Sequence, residues 1–160
     1  MAVKDVAAAV FQVWFGVALV FFDQIAKLAV LKRLHQNESI PVIPNILHIT
    51  LVYNTGSAFG LFRHKNWILA YISIAAIVLI LWLLIRRTEF HRPLHLHIWR
   101  YSLLLVLSGA TGNLIDRVRW GYVVDFLDFR VWPVFNLADS LITCGAAGLV
   151  YLLCRKHTFA

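Results

Sequence analysis

Acid is scarce in this sequence. Its 160 residues include 8 Asp and Glu against 15 Lys and Arg, and charged residues make up only 14% of the chain. A soluble domain is about a quarter charged and about 45–50% apolar. Here the hydrophobic share is 61% and the mean hydropathy +0.74. That shortage of charge excludes an ordinary soluble domain and points to an integral membrane protein. Cysteine is just as sparse. Cys144 and Cys154, if helical, project roughly 80° and about 15 Å apart, too far for a disulfide. No metal-ligand spacing surrounds them, so they read as small apolar filler. A small-residue cleavage site is also missing after the first apolar run, so no cleavable secretory signal is expected.

The charge that is present leans basic, with a formal net of +7. Its placement argues against a nucleic-acid partner. Arg86, Arg87, Arg92 and Arg100 lie between apolar runs, and Arg155 and Lys156 lie near the carboxyl end, the pattern of basic cytoplasmic loops.

Four apolar segments stand out, at about 6–31, 67–85, 98–115 and 135–154. The second, WILAYISIAAIVLILWLLI, carries no charge and matches one crossing at about 1.5 Å per residue. Arg100 opens the third, where its stem can snorkel to the interface. The expectation is one membrane domain over 1–160, all-α, with four transmembrane helices and both termini in the cytoplasm. Between the first two spans, ILHITLVY is rich in β-branched residues and Asn54 and Gly56 supply a turn. We therefore expect a small β-layer on the outer side, at about 40–62, which GYVVDFLDF could join as a further strand. Pro133 suits the start of the fourth helix.

The acids are not scattered. Asp23, Asp116, Asp125, Asp128 and Asp139 gather at the outer ends of spans one, three and four, and carboxylates in such a setting are costly. Asp23 and Lys27 are at i, i+4, a favourable spacing for a structural ion pair. Asn113, Asp116 and Arg117 share a face of span three, although the adjacent Asp116 and Arg117 project about 100° apart. Asp116 with Arg117 reads as scaffold or as a lipid-headgroup site, and Asp128 as a solvated interface residue. Pro133 separates Asp125 from Asp139, yet a reversal of the chain would bring both to one rim. Two carboxyls a few ångström apart cannot both ionise easily. One then activates water while the other donates a proton, the chemistry of aspartic proteases. An intramembrane proton relay accounts for the same spacing.

Other sets are poor. Ser57, Ser73, Ser102, Ser108 and Ser140 have no evident histidine and carboxylate partners, and His91, His95 and His97 read as a basic interfacial segment. No metal and no cofactor are expected.

Taken together, DQIAK (Asp23 to Lys27), NTGSAFGLF (Asn54 to Phe62), SGATGNLIDRVRWGYVVDF (Ser108 to Phe126) and FNLADS (Phe135 to Ser140) resemble, in order, the blocks of the signal peptidase II family, the lipoprotein signal peptidases of bacteria. Ser57 stands where that family commonly has alanine and Gly60 where serine is frequent, and the link from Asp125 to Asp139 is short. The resemblance implies an aspartic intramembrane endopeptidase of the bacterial inner membrane, with four transmembrane helices and an outer β-cradle. Its substrate would be a prolipoprotein, cut before a cysteine bearing a diacylglyceryl group, in contact with membrane lipids. By matching motifs, Asp125 and Asp139 would be the catalytic pair, and Asn54, Gly56, Asn113, Arg117 and Asn136 would support the site or its substrate. The competing function is a small proton-coupled transporter. It would need polar residues through the depth of the spans, and span two has none that readily ionise.

Overall fold

The computed structural model describes residues 3–56, 65–86 and 93–156. The expected extension of the β-layer over 57–62, with Ser57 and Gly60, lies outside the described residues, as does His91. Four helices and three strands make up the described chain. They are α1 (Val3–Leu31), β1 (Ser39–Ile43), β2 (Leu47–Asn54), α2 (Asn66–Ile85), α3 (Pro93–Trp120), β3 (Val123–Asp128) and α4 (Leu137–Lys156).

Among the described residues, three windows are long and apolar enough to cross a membrane: Val10–Leu31, Asn66–Ile85 and Leu137–Arg155. Their large apolar side chains point outward. Phe11, Trp14, Phe21 and Phe22 on α1, and Tyr71, Ile72 and Val78 on α2, are all exposed. In water such a surface would drive association, but in lipid it is the natural exterior. α3 differs because it is the hub. It packs on α1, α2 and α4, so protein rather than lipid covers much of its surface. Ser102, Ser108, Asn113 and Asp116 are buried along it.

Close approach of α3 and α4 depends on missing side chains. A Cβ on Gly109 would strike the backbone oxygen of Ala138, and one on Gly112 would lie 2.6 Å from Asp23 Oδ2. Small residues at such crossings let helix backbones meet in the absence of a hydrophobic drive. α3 stops at Gly121, whose φ of +78° is the left-handed conformation of a helix C-cap, with its N–H donating to Arg117 O at 3.2 Å.

The three strands form one antiparallel sheet in the order β1-β2-β3. β1 and β2 make a hairpin whose turn holds Asn45 at φ +62°, a conformation asparagine tolerates better than most residues. β3 comes from the loop after α3, as its strand character suggested, and pairs Val52 with Asp125 and Asn54 with Val123. A cluster of Leu34, Leu51 and Val124, flanked by Tyr53 and Tyr122, seats the sheet on the end of α1.

The link between β3 and α4 doubles back tightly. Phe135 N–H donates to Leu127 O at 3.1 Å, and Phe135 O accepts from Leu127 at 2.7 Å. This places Asn136 beside β3. Pro133 falls in that reversal rather than in the first turn of α4, where Leu137 opens the helix. The backbone bonds made by Phe135 set the start of α4 later than proline preference alone suggested.

Candidate active site

The start of α4 is built by three side chains. Asn136 Oδ1 accepts from Asp139 N–H at 2.9 Å, and Asp139 Oδ2 accepts from Asn136 N–H at 3.3 Å. This reciprocal arrangement is a capping box, with aspartate in the place usually held by glutamate. Asp23 Oδ1 on α1 accepts from Ala138 N–H at 2.9 Å. Three N–H groups that the helix cannot satisfy itself are thus met, and the positive end of its dipole faces carboxylates.

Asn136 also joins the two acids singled out in the sequence. Its Nδ2 donates to Asp125 Oδ1 at 2.7 Å, while its backbone N–H holds Asp139. The other oxygen of each carboxyl meets a further asparagine. Asn54 Nδ2 donates to Asp125 Oδ2 at 2.9 Å, and Asn113 Nδ2 donates to Asp139 Oδ1 at 2.8 Å. The supporting amides are themselves oriented. Gly56 N–H donates to Asn54 Oδ1 at 3.0 Å, which turns the Asn54 amino group toward Asp125. Asn113 Oδ1 accepts from Lys27 Nζ and from Asn136 Nδ2, each at 3.1 Å, so its own amino group is left for Asp139.

Asp125 is 1% exposed, whereas Asp139 is only half-buried and retains access to the outside. Burial, and after it the charge of Asp139, push the Asp125 carboxyl up to about 7 against the lowering effect of Asn54 and Asn136. No cation forms an ion pair with either carboxyl among the described residues.

A second cluster lies directly beside the first. Lys27 Nζ is 2.9 Å from Asp23 Oδ2 and 2.9 Å from Asp116 Oδ2, with all three side chains buried. Gln24 Nε2 adds a bond of 2.9 Å to Asp116 Oδ1, and Val124 N–H donates to Asp116 Oδ2 at 3.0 Å. The expected pair of Asp23 and Lys27 is therefore present but belongs to a larger set. Asp116 turns to Lys27, not to its neighbour Arg117. Sequence reading missed Gln24 and this role of Asp116. The available signal was their shared rim, but Asp116 and Lys27 lie on different helices and no spacing rule connects them.

Arg117 lies within electrostatic reach of Asp139, Asp125 and Asp116 without pairing with any of them. Its Nη1 makes long contacts of 3.5 Å to Ser73 Oγ and Asn113 O, and its buried Nε has no partner among the described residues. Asp128 is not a solvated interface residue. It is 6% exposed and accepts from Thr50 Oγ1 and Arg130 N–H, each at 2.8 Å. Burial pushes its carboxyl up, but those donors outweigh it and hold the group below the usual range. Its function is to stitch β3 to β2. Ser73 and Ser108 donate to helix carbonyls and face no histidine.

Comparison with known proteins finds similar sequences and structures. Residues 15–155 match the model of the family described as Signal peptidase (SPase) II. The chain is 43% identical over 139 residues to the lipoprotein signal peptidase of Halothermothrix orenii, covering 87% of this chain and 92% of that one. It is 46% identical over 132 residues to that of Moorella thermoacetica, with 82% of each covered. Two solved structures, each described as a bacterial membrane enzyme, superpose with TM-scores of 0.83 and 0.78 at 30% and 31% identity. The first covers 92% of this chain and 89% of its own, the second 89% and 92%.

Proposed function

The chain belongs to the signal peptidase II family, which removes signal peptides from prolipoproteins, and from that premise we propose that it hydrolyses the peptide bond as an aspartic endopeptidase using Asp125 and Asp139. The observation that carries this reading is the pair of unlike carboxyls held by one residue. Asp125 is buried and pushed up to about 7, and Asp139 is half-buried and open to water, with Asn136 bonded to both.

Asp139 is the base. It takes a proton from a water lying between the carboxyls as the water oxygen attacks the scissile carbonyl carbon. Asp125 enters protonated and donates to the carbonyl oxygen, giving a neutral tetrahedral diol. Collapse of that diol returns a proton to Asp125, breaks the C–N bond and sends the proton held by Asp139 to the leaving amine. Both carboxyls end as they began. Asn54, Asn113 and Asn136 fix the two acids, and Gly56 fixes Asn54. Arg117, with its long contacts, is placed to receive a polar group of the substrate.

The substrate remains in the bilayer through a diacylglyceryl group on the cysteine after the cleaved bond. Asp139 at the start of α4, beside Asp125 on β3, can reach water while acyl chains stay among the helices. The extended segment of the signal peptide then lies along the sheet near Asn54. α3 crosses as a fourth span in a single membrane domain. Both termini lie in the cytoplasm of a bacterium, the enzyme sitting in its inner membrane. A proton-coupled transporter would need ionisable groups along its path, and α2 carries no Asp, Glu, His, Lys or Arg.

The test is cleavage of a diacylglyceryl prolipoprotein by purified Asp125→Asn and Asp139→Asn. Both should be inactive and still folded in detergent. Parental rates in either would refute the assignment.

A further inference from the structure

α1 and α2 both pack on α3 rather than on each other, which leaves a groove of about 780 Å³ between them. Val17 and Val20 line it from α1, Leu84 from α2 and Leu104 from α3. The hydroxyls on its floor are already engaged, Ser108 with Gly16 O at 3.2 Å and Thr111 with Leu107 O at 2.8 Å. They present little polarity to an occupant.

Arg100 closes the end of the groove away from the aspartates and is the one charged residue lining it among the described residues. Its Nε is buried and has no hydrogen-bond partner among the described residues. A guanidinium left in that state favours an anion with several oxygens. Nearby Arg86 is engaged differently, stacked 4.0 Å over the ring of Trp82. Along α3, Arg100 to Thr111 spans about 16 Å, against about 30 Å for the hydrocarbon core. The stretch lined from Arg100 to Thr111 has about the depth of one leaflet, and beyond it the groove ends at Gln24, whose amide is already bonded to Asp116 at 2.9 Å.

We infer that this groove binds an anionic phospholipid from the leaflet opposite the aspartates, its phosphate on Arg100 and one acyl chain between α1 and α2. Basic pockets between membrane helices suit such headgroups. The rival occupant is the apolar stretch of a signal peptide. Such peptides begin with a positively charged segment. With the cleaved bond at the aspartate end, that segment would arrive at Arg100 and meet like charge. Charge complementarity therefore selects the phospholipid. The inference does not depend on which residues catalyse.

The experiment melts the full chain in detergent with added phosphatidylglycerol or with phosphatidylcholine of the same acyl chains, and counts bound lipid by native mass spectrometry. Phosphatidylglycerol should raise the melting temperature by several degrees and be retained as one molecule; phosphatidylcholine should do neither. Arg100→Gln and Val17→Trp, which fills the groove from its exposed side, should lose both effects. Arg86→Gln, at the same interface but outside the groove, should keep them. Asp139→Asn should also keep them, so that loss of catalysis and loss of lipid are read separately. An Arg100→Gln protein that still shows the full rise and the bound lipid would overturn the inference, as would equal effects of the two lipids. So would a Val17→Trp protein that retains the lipid while its KM for prolipoprotein rises tenfold, because the groove would then hold the signal peptide.

Discussion

The two carboxylate clusters at one end of the helices differ in a single component. Around Lys27, two carboxylates share one buried ammonium, Gln24 and Ala138 N–H donate to their other oxygens, and Val124 N–H shares Asp116 Oδ2 with Lys27. Around Asn136, two carboxyls share neutral amides and form no ion pair among the described residues, Arg117 standing within electrostatic reach but unpaired with them. In the first set a single buried ammonium offsets part of the carboxylate charge, and all three side chains are buried. The second cannot hold two negative charges cheaply, so one proton is retained and becomes available for chemistry. Asn113 touches both sets, accepting from Lys27 and donating to Asp139. On the proposed mechanism, the same residue type within one rim is scaffold or reagent according to whether it forms an ion pair.

Four changes would test that contrast, beginning with the largest effect. Asp139→Asn should lower cleavage on the order of 10³-fold or more with little change in melting temperature; a large drop in stability would place Asp139 with the scaffold. Lys27→Met should do the reverse, leaving Asp23 and Asp116 buried without their cation at a cost of about 3–5 kcal/mol. Thermal melts would show it, and an unaltered melting temperature with lost cleavage would erase the distinction. Asn136→Ala should reduce kcat about 10²-fold and remove a helix cap worth about 1 kcal/mol; single-turnover cleavage and melting measure the two effects apart.

The smallest effect is in pH. With Asp125 pushed up to about 7, the proton it must supply is lost above that pH, and kcat/KM should fall about tenfold per further unit. Stability follows the same group. Between about pH 4 and 7 the folded protein holds a proton that the unfolded chain has released, so stability declines as pH rises through that window. Asp125→Asn should flatten that part of the melting-temperature profile. A slope unchanged in the variant would show that Asp125 titrates elsewhere.

Much of this was legible in the residues, and the reasons are local. An unbroken apolar run such as Trp67 to Ile85 has few stable fates other than a membrane helix. The i, i+4 spacing of Asp23 and Lys27, and the i, i+3 spacing of Asn136 and Asp139, fixed which side chains could meet within one helix. The β-branched character of ILHITLVY and VVDF marked two strands. α3 was harder to place because its apolarity is diluted by residues that only its neighbours bury. Asp128 was misread for a related reason: its partner Thr50 lies on another strand, 78 positions away.

The sequence by itself thus determined where helices and strands form and which end of the molecule collects its acids, because short-range periodicity and the cost of charge in lipid act along the chain. Only the tertiary structure decided which acid keeps a cation and which keeps a proton. That choice rests on α1, α3, β3 and α4 meeting at Asn113 and Asn136, where contacts across long stretches of chain set the local electrostatics.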